Sequence, residues 1–198
     1  MNFLVYGRAF VEASDHDTPA LDEAHWSYME AFADRMTARG PTLSPDRTTW
    51  TGSLHVVDLD DANAARAFAV DDPYHRAGLF RDHLIRRFDN LLGRTMWDVT
   101  VQAEHVPFLI IAGSGEVPSA PMSMTHLPQA VAERLVLWGA LHPVRDDIRL
   151  PSGHSIGMAL ALLVPHEAAA RTLIAAEPAL LGGHTDWEIH AWEFGGRP

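Results

Sequence analysis

Apolar residues recur along the first half of the chain with the periods of strands and helices in alternation. Short apolar runs rich in β-branched residues predict buried strands. Apolar residues three or four positions apart predict helices with one face toward a core. The predicted elements are a strand at 3–7, a helix at 21–39, a short strand or turn at 42–47, a strand at 48–59, a helix at 62–70 and a strand at 82–88. This order is that of a ferredoxin-like βαββαβ fold, of the α+β class.

The pattern begins again after a connector at 90–105, in which we predict one further strand at 95–102. The elements predicted after it are a strand at 108–113, a helix at 125–138, a strand at 154–164, a helix at 165–176 and a strand at 187–194. Helices on one sheet face leave the other face to be buried. We therefore expect two sheets packed face to face as a pseudo-dimer within one chain.

A constant offset between the halves indicates a duplication. Phe3 and Phe108, Gly52 and Gly157, and Asp72 and Glu177 are each 105 positions apart. We predict a first ferredoxin-like domain at 1–93, a connector at 94–106 and a second, divergent ferredoxin-like domain at 107–198.

The stretch between the second helix and the strand that follows it concentrates chemically active side chains. Residues 71–76 hold two carboxylates, a phenol, an imidazole and a guanidinium. Pro73 fixes its own φ and pushes Asp72 out of the helical region, which turns that carboxylate away from the helix axis. An ordinary surface turn has no need of so many titratable groups, so we expect the fold to bring a histidine to Asp72.

Composition narrows the classes of function. The net charge of −11 and the pI near 5.4 argue against a nucleic-acid or anionic-membrane partner. The chain has no cysteine, and all its basic residues other than histidine are arginine, which excludes thiol nucleophiles, thiolate metal sites and lysine Schiff bases. Gly113-Ser114-Gly115 lacks the pattern of a phosphate loop, and the histidines lack metal-site spacing. We expect no cofactor, no metal and a cytoplasmic location.

The first half resembles the YCII-related family, part of the dimeric α/β-barrel group. The resemblance covers most of residues 3–89 and depends on these stretches: the strand 3–8, His25 with Tyr28-Met29, Gly40-Pro41, Gly52-Ser53-Leu54, the helix 62–69, Asp72-Pro73-Tyr74, Ala77-Gly78-Leu79-Phe80 and Ile85-Arg86-Arg87-Phe88. It implies a fold similar to muconolactone isomerase and to antibiotic-biosynthesis monooxygenases. It also implies an acid/base pair, which by position is His25 with Asp72, and activities such as elimination from small cyclic substrates.

The second half departs from this family pattern. Glu177-Pro178-Ala179 stands in place of Asp-Pro-Tyr, and His126 follows His25 by 101 positions rather than 105. The sequence therefore leaves open whether the second half has a site of its own.

His25 and Asp72 are the candidate catalytic residues. A carboxylate bonded to one imidazole nitrogen fixes the tautomer and raises the basicity of the other nitrogen, which makes a general base. The alternative is that Asp72 caps a turn and His25 lies at an exposed helix start.

Five further residues are candidates for substrate binding. Tyr6 and Arg8 end the first strand, where strand ends of this fold can reach a pocket. Tyr74, His75 and Arg76 could orient a substrate or neutralise an enolate. In the alternative interpretation Tyr74 packs on the sheet and Arg76 pairs with a nearby acid.

The sequence thus favours a cofactor-independent acid/base enzyme of the lyase or isomerase type. It would be a dehydratase, cyclase or isomerase acting on a small cyclic or aromatic ketone, with a small-molecule substrate as its partner. The arginine-only, alanine-rich composition suits a GC-rich bacterium, in which such proteins serve secondary metabolism, including antibiotic biosynthesis. The alternatives are a cofactor-free monooxygenase of the antibiotic-biosynthesis type and a non-catalytic binding or assembly module. A homodimer of the whole chain stays open.

Overall fold

The computed structural model describes residues 1–11, 18–113, 115–118, 125, 127–144, 150 and 154–196. The first half contains β1 (Asn2–Ala9), α1 (Pro19–Glu30), β2 (Met36–Leu43), β3 (Trp50–Asp58), α2 (Ala62–Asp71), α3 (Pro73–Arg76) and β4 (Phe80–Asn90). The second half contains β5 (Val106–Ala112), β6 (Val117–Pro118), α4 (Gln129–Ala132), β7 (Leu135–His142), β8 (His154–Ser155), β9 (Gly157–Val164), α5 (Glu167–Ala176) and β10 (Trp187–Trp192). Short 3₁₀ helices lie at Ala33–Arg35, Met96–Asp98 and Pro178–Leu181.

Eight strands close into one barrel in the order β1-β3-β2-β10-β5-β9-β7-β4. The first half supplies four adjacent strands, β4-β1-β3-β2, and the second half supplies β10-β5-β9-β7 in the corresponding order. The prediction of two tandem ferredoxin-like units forming a pseudo-dimer is confirmed. The two sheets face each other, and antiparallel pairing of β2 with β10 and of β4 with β7 also joins their edges. The boundaries at 93 and 107 stay a prediction.

The offset between the halves is visible in the packing. α2 begins at Ala62 and α5 at Glu167, which are 105 positions apart. A Cβ on Gly52 would lie 2.3 Å from the carbonyl oxygen of Gly7, and one on Gly157 would lie 2.4 Å from that of Ala112. The same close approach between neighbouring strands therefore requires glycine at the same place in both halves.

Side-chain alternation along each strand separates two apolar layers. On β1, Leu4 and Tyr6 belong to the buried cluster inside the barrel, where they meet residues of the second half such as Leu109. Phe3 and Val5 belong to a separate cluster beneath α1 and α2. A side chain on a first-half strand thus faces either the barrel interior or the helix layer.

Three predicted elements are wrong. The helix predicted over 21–39 ends at Glu30, and β2 begins at Met36. The helix predicted over 125–138 is only α4, and β7 follows it. In both places an apolar series continues from helix into strand, so periodicity does not show where the chain turns. The strand predicted over 95–102 is instead a 3₁₀ helix at Met96–Asp98, which Thr95 and Asp98 cap. His126 lies outside the described residues.

Within the part of the chain that the structure describes, no helix combines the length and apolar character needed to cross a membrane.

Candidate active site

The turn at Asp72 has the geometry that Pro73 was expected to impose. Asp72 follows the last residue of α2, with φ −56° and ψ 127°, and Pro73 begins α3. The Asp72 Oδ1 accepts a hydrogen bond from the backbone N–H of Tyr74 at 2.9 Å. The carboxylate is buried, with the residue 4% exposed. It therefore caps α3 and at the same time faces the protein interior.

His25 is bonded to this carboxylate. Thr18 caps α1 and Pro19 opens it, so His25 lies in the middle of the helix and is buried. The exposed helix start of the alternative interpretation is not observed. Its Nδ1 lies 2.8 Å from Oδ1 of Asp72. Because a carboxylate accepts hydrogen bonds, the Nδ1–H of His25 is the donor, which leaves Nε2 as the basic nitrogen. Among the described residues Nε2 has no hydrogen-bond partner.

Tyr74 holds the same imidazole from a second direction. Its ring stacks on that of His25, with centroids 4.0 Å apart and planes 11° apart. Its hydroxyl donates to Asp22, one turn before His25 on α1. Asp72 and Tyr74 therefore fix both the position and the tautomer of His25, which explains why the carboxylate, proline and phenol are adjacent in sequence.

His25 lines a cavity of about 390 Å³ between α1, the outer face of β2 and β3, and the chain after β10. This volume is in the range of small-molecule sites. The polar and aromatic residues of its wall are His25, Trp26, Glu30, Arg39, Trp50, Ser53, His55, Tyr74, Glu193 and Phe194. Asp72 is not part of the wall, because it lies behind His25.

A second histidine in this wall, His55, was missed from the sequence. Its ring centroid lies 5.8 Å from that of His25. Burial and, to a smaller extent, the nearby His25 together lower the pKa of His55 to about 3, so its ring is neutral near pH 7. Ser53 and His55 are two residues apart on β3 and so share its helix-facing side. Polar residues at that spacing within the strand were the available signal.

Arg39 lies beside His55, and sequence analysis had placed it at the end of a helix. The two are partners across the β2–β3 ladder. The Arg39 Nε is buried with no hydrogen-bond partner in the described part of the chain. One terminal nitrogen of Arg39 lies 3.7 Å from a Glu30 carboxylate oxygen, which is too long for a hydrogen bond. The described residues therefore pair the guanidinium only partly.

The second half completes this cavity. The backbone N–H of Glu193 donates to the Pro41 carbonyl at 3.1 Å, and that of Gly195 donates to the Arg39 carbonyl at 2.8 Å. A Cβ on Gly40 would lie 1.9 Å from the Glu193 carbonyl oxygen, so glycine is needed for this approach. The segment Glu193–Gly196 forms the remaining wall.

Tyr6 and Arg8 do not line the cavity, which corrects the expectation that the end of β1 reaches it. Strand alternation turns both toward the barrel interior. The Tyr6 hydroxyl lies 3.3 Å from the Thr42 hydroxyl, and the Arg8 guanidinium pairs with Asp82 at 3.0 Å and with Glu188 at 2.8 Å.

His75 and Arg76 also lie outside the cavity, although Tyr74 beside them is part of its wall. The His75 ring packs edge-on against His83. Arg76 is largely exposed and pairs with Asp71 at 2.6 Å, as in the alternative interpretation of this residue. Of the five predicted substrate-binding residues, the structure thus places only Tyr74 beside His25.

Apolar side chains fill the corresponding region of the second half. Trp138 and Leu160 pair across β7 and β9, as Arg39 and His55 pair across β2 and β3, and both are buried. Met158 takes the place of Ser53, and the Trp138 indole N–H donates to the Leu180 carbonyl at 3.0 Å.

The second-half histidines are dispersed. His184 bonds Ser155 at 3.1 Å, and His142 lies 3.0 Å from Asp89. Within the described residues, no three potential metal ligands lie together.

Comparison with known proteins identifies the first half. Residues 1–89 match the YCII-related domain family, which confirms the resemblance. No curated protein matches the chain. Among solved structures, the 5-chloro-2-hydroxyhydroquinone dehydrochlorinase of Burkholderia phenoliruptrix AC1100, in complex with 2,5-dihydroxybenzoquinone, is 26% identical with a TM-score of 0.40. That match covers 45% of this chain and 94% of the dehydrochlorinase.

A second solved structure matches over nearly the whole chain. It is a proposed monooxygenase from Lactobacillus acidophilus NCFM, 7% identical, with a TM-score of 0.50. The match covers 97% of this chain and 92% of that protein. At this identity the likeness concerns the fold alone.

Proposed function

We propose that this chain, whose residues 1–89 match the YCII-related domain family, is an acid/base enzyme acting on a small cyclic or aromatic ketone. The observation that carries the proposal is the buried bond of 2.8 Å between His25 Nδ1 and Asp72, made by a histidine that lines a cavity. A histidine held in this way is suited to general-base catalysis near neutral pH.

The proposed reaction begins with proton removal. Nε2 of His25 takes a proton from a carbon next to the substrate carbonyl, and the electron pair of the broken C–H bond moves into the carbonyl to give an enolate. The imidazolium that forms is stabilised by the Asp72 carboxylate. The enolate then re-forms the carbonyl and makes a C=C bond to the neighbouring carbon, whose bond to the leaving group breaks, and His25 gives its proton to that leaving group. Return of the proton to a different carbon gives isomerisation instead.

The surroundings of His25 support this role. Asp72 and Tyr74 remove rotational freedom from the imidazole, so the base does not have to be oriented during each turnover. General-base catalysis by a positioned side chain contributes on the order of 10²–10⁴-fold in rate. We assign the reaction to the dehydratase, cyclase or isomerase type and place it in secondary metabolism. Cytoplasmic location and homodimer formation stay predictions.

The experiment compares His25→Gln and Asp72→Asn with Glu177→Gln, which makes the equivalent change in the second half. Turnover is followed by absorbance on substituted cyclohexenones, hydroxyquinones and halogenated hydroquinones, including 5-chloro-2-hydroxyhydroquinone. We expect both first-half variants to lose at least a hundredfold in kcat while Glu177→Gln keeps full activity. Near-normal turnover by both first-half variants, with unchanged thermal unfolding, would remove the pair from the mechanism.

The same assay separates the two alternatives. Oxygen consumed in proportion to substrate loss would favour a monooxygenase. Ligand binding without turnover by the wild type, unchanged in the His25→Gln variant, would favour a binding module.

A further inference from the structure

We propose that the inner end of the cavity is an anion subsite, in which Arg39, His55 and Ser53 bind a negatively charged oxygen of an aromatic ligand. The ligand class is an ionised phenol, enol or carboxylate on a single ring. This inference rests on the proposed function, because it names the kind of substrate that His25 would act on.

Arg39 has hydrogen-bonding capacity that the described residues do not use. Its side chain is 15% exposed, and its Nε is buried with no partner among those residues. A buried donor left unpaired has lost its hydrogen bonds to water without replacing them, which is unfavourable. Glu30 lies 3.7 Å away, and its side chain is 54% exposed, so this carboxylate belongs to the rim and can turn to solvent. A planar anionic group entering the cavity would replace Glu30 and satisfy the guanidinium.

His55 and Ser53 add neutral donors beside this charge. No hydrogen bond to the His55 ring is present among the described residues, and the ring lines the cavity. The Ser53 hydroxyl oxygen accepts from the Trp50 indole N–H at 3.4 Å, which leaves the hydroxyl hydrogen to donate. An uncharged imidazole can donate to an anionic oxygen without placing a second positive charge next to Arg39.

The spacing fits one ring. The His25 and His55 ring centroids are 5.8 Å apart. A single six-membered ring lying across both side chains can direct an exocyclic oxygen to Arg39 and His55 while one of its carbon atoms faces His25. Trp50 and Tyr74, whose ring centroids are 5.2 Å apart, supply aromatic surface for that ring.

The second half indicates that the fold itself does not need these polar groups. Trp138, Met158 and Leu160 stand at the positions of Arg39, Ser53 and His55 and are 1%, 0% and 0% exposed. Replacing buried polar or charged groups by well-packed apolar ones is often neutral or stabilising. The first half has three polar side chains where the second half has apolar ones. Binding of a ligand therefore explains these polar side chains better than a contribution to stability does.

The test uses 4-nitrophenol, whose hydroxyl ionises near neutral pH and whose phenolate absorbs visible light. Binding to the wild type should shift this ionisation to lower pH, and nitrobenzene, which cannot ionise, should bind at least tenfold more weakly. Arg39→Gln should remove the shift and weaken phenolate binding at least tenfold, whereas Arg39→Lys should keep part of both. Arg66→Gln, on the exposed face of α2, makes the same charge change away from the cavity and should have no effect.

The outcomes separate the two proposals. A full ionisation shift in Arg39→Gln, or equal binding of nitrobenzene and 4-nitrophenolate by the wild type, would overturn the anion subsite. His25→Gln should still bind the phenolate and shift its ionisation. Retained turnover by His25→Gln would overturn the proposed mechanism and leave the subsite standing.

Discussion

His55 and Leu160 occupy the same place in the two halves of the barrel. They are 105 positions apart, both are buried beneath the helices, and each is the cross-strand partner of a residue on the neighbouring strand, Arg39 or Trp138. The helix layer thus accepts either an imidazole or an aliphatic side chain at this place. The exchange of one for the other can therefore be tested in the first half.

We expect His55→Leu to make the protein less sensitive to acid. The pKa of His55 is about 3 in the folded protein and near 6.5 when exposed, so the unfolded chain binds a proton that the folded one resists. The stability of the wild type is therefore complete above pH 6.5 and falls as the pH drops toward 3. Between these two pH values the free energy of unfolding changes by about 1.4 kcal/mol per pH unit for one proton. Urea denaturation between about pH 7 and pH 4 measures the free energy of unfolding of the wild type and of His55→Leu. An equal dependence of this free energy on pH in the two proteins would contradict the prediction.

Tyr74 is expected to act through its ring more than through its hydroxyl. Tyr74→Phe removes the bond to Asp22 and keeps the stack on His25, so it should cost about 1 kcal/mol of unfolding free energy and little activity. Tyr74→Leu removes the stack as well and should lower kcat by about tenfold, because the imidazole is then less well oriented. Equal kcat values for the two variants would show that stacking does not position His25.

Only part of this site could be predicted from the sequence. Pro73 is a local constraint, so the conformation of Asp72 followed from two adjacent residues. The convergence of Arg39, Ser53 and His55 depends on strand register and on which face of β2 and β3 carries the helices, and alternation alone leaves that face undetermined. The same ambiguity explains why Tyr6 and Arg8 were expected to reach the cavity although they face the barrel interior. The wall at Glu193–Gly196 depends on closure of the barrel between halves distant in sequence.

Gly40 is expected to be required for that closure. In Gly40→Ala the new Cβ would lie 1.9 Å from the Glu193 carbonyl oxygen, so the segment after β10 must move away from β2. We expect a loss of about 1–3 kcal/mol in stability and weaker binding of 4-nitrophenol, because one wall of the cavity is displaced. Gly115→Ala is the control, since a Cβ there meets no atom of the described residues within 4 Å. Unchanged binding in Gly40→Ala would show that the segment is not a functional wall.

Glu188 is expected to hold the two halves together down to acid pH. It lies on β10, where it pairs with Arg8 of β1 and where its carboxylate is 3.5 Å from the His190 imidazole. The nearby His190, followed by the bond from Arg8, lowers the pKa of Glu188 from 4.5 to about 2. Because the pKa of this carboxylate is lower in the folded protein than in the unfolded chain, its ionised form stabilises the folded state. The stabilisation is complete above pH 4.5 and is lost as the pH falls toward 2. The Glu188 side chain is 42% exposed, so solvent screening weakens its charge interactions. We expect this carboxylate to contribute about 1 kcal/mol to the free energy of unfolding. Glu188→Gln should therefore be less stable than the wild type at neutral pH and equally stable near pH 2, whereas exposed Glu104→Gln should match the wild type at both. A difference between the wild type and Glu188→Gln that stays constant across this range in urea denaturation would assign the effect to packing rather than to charge.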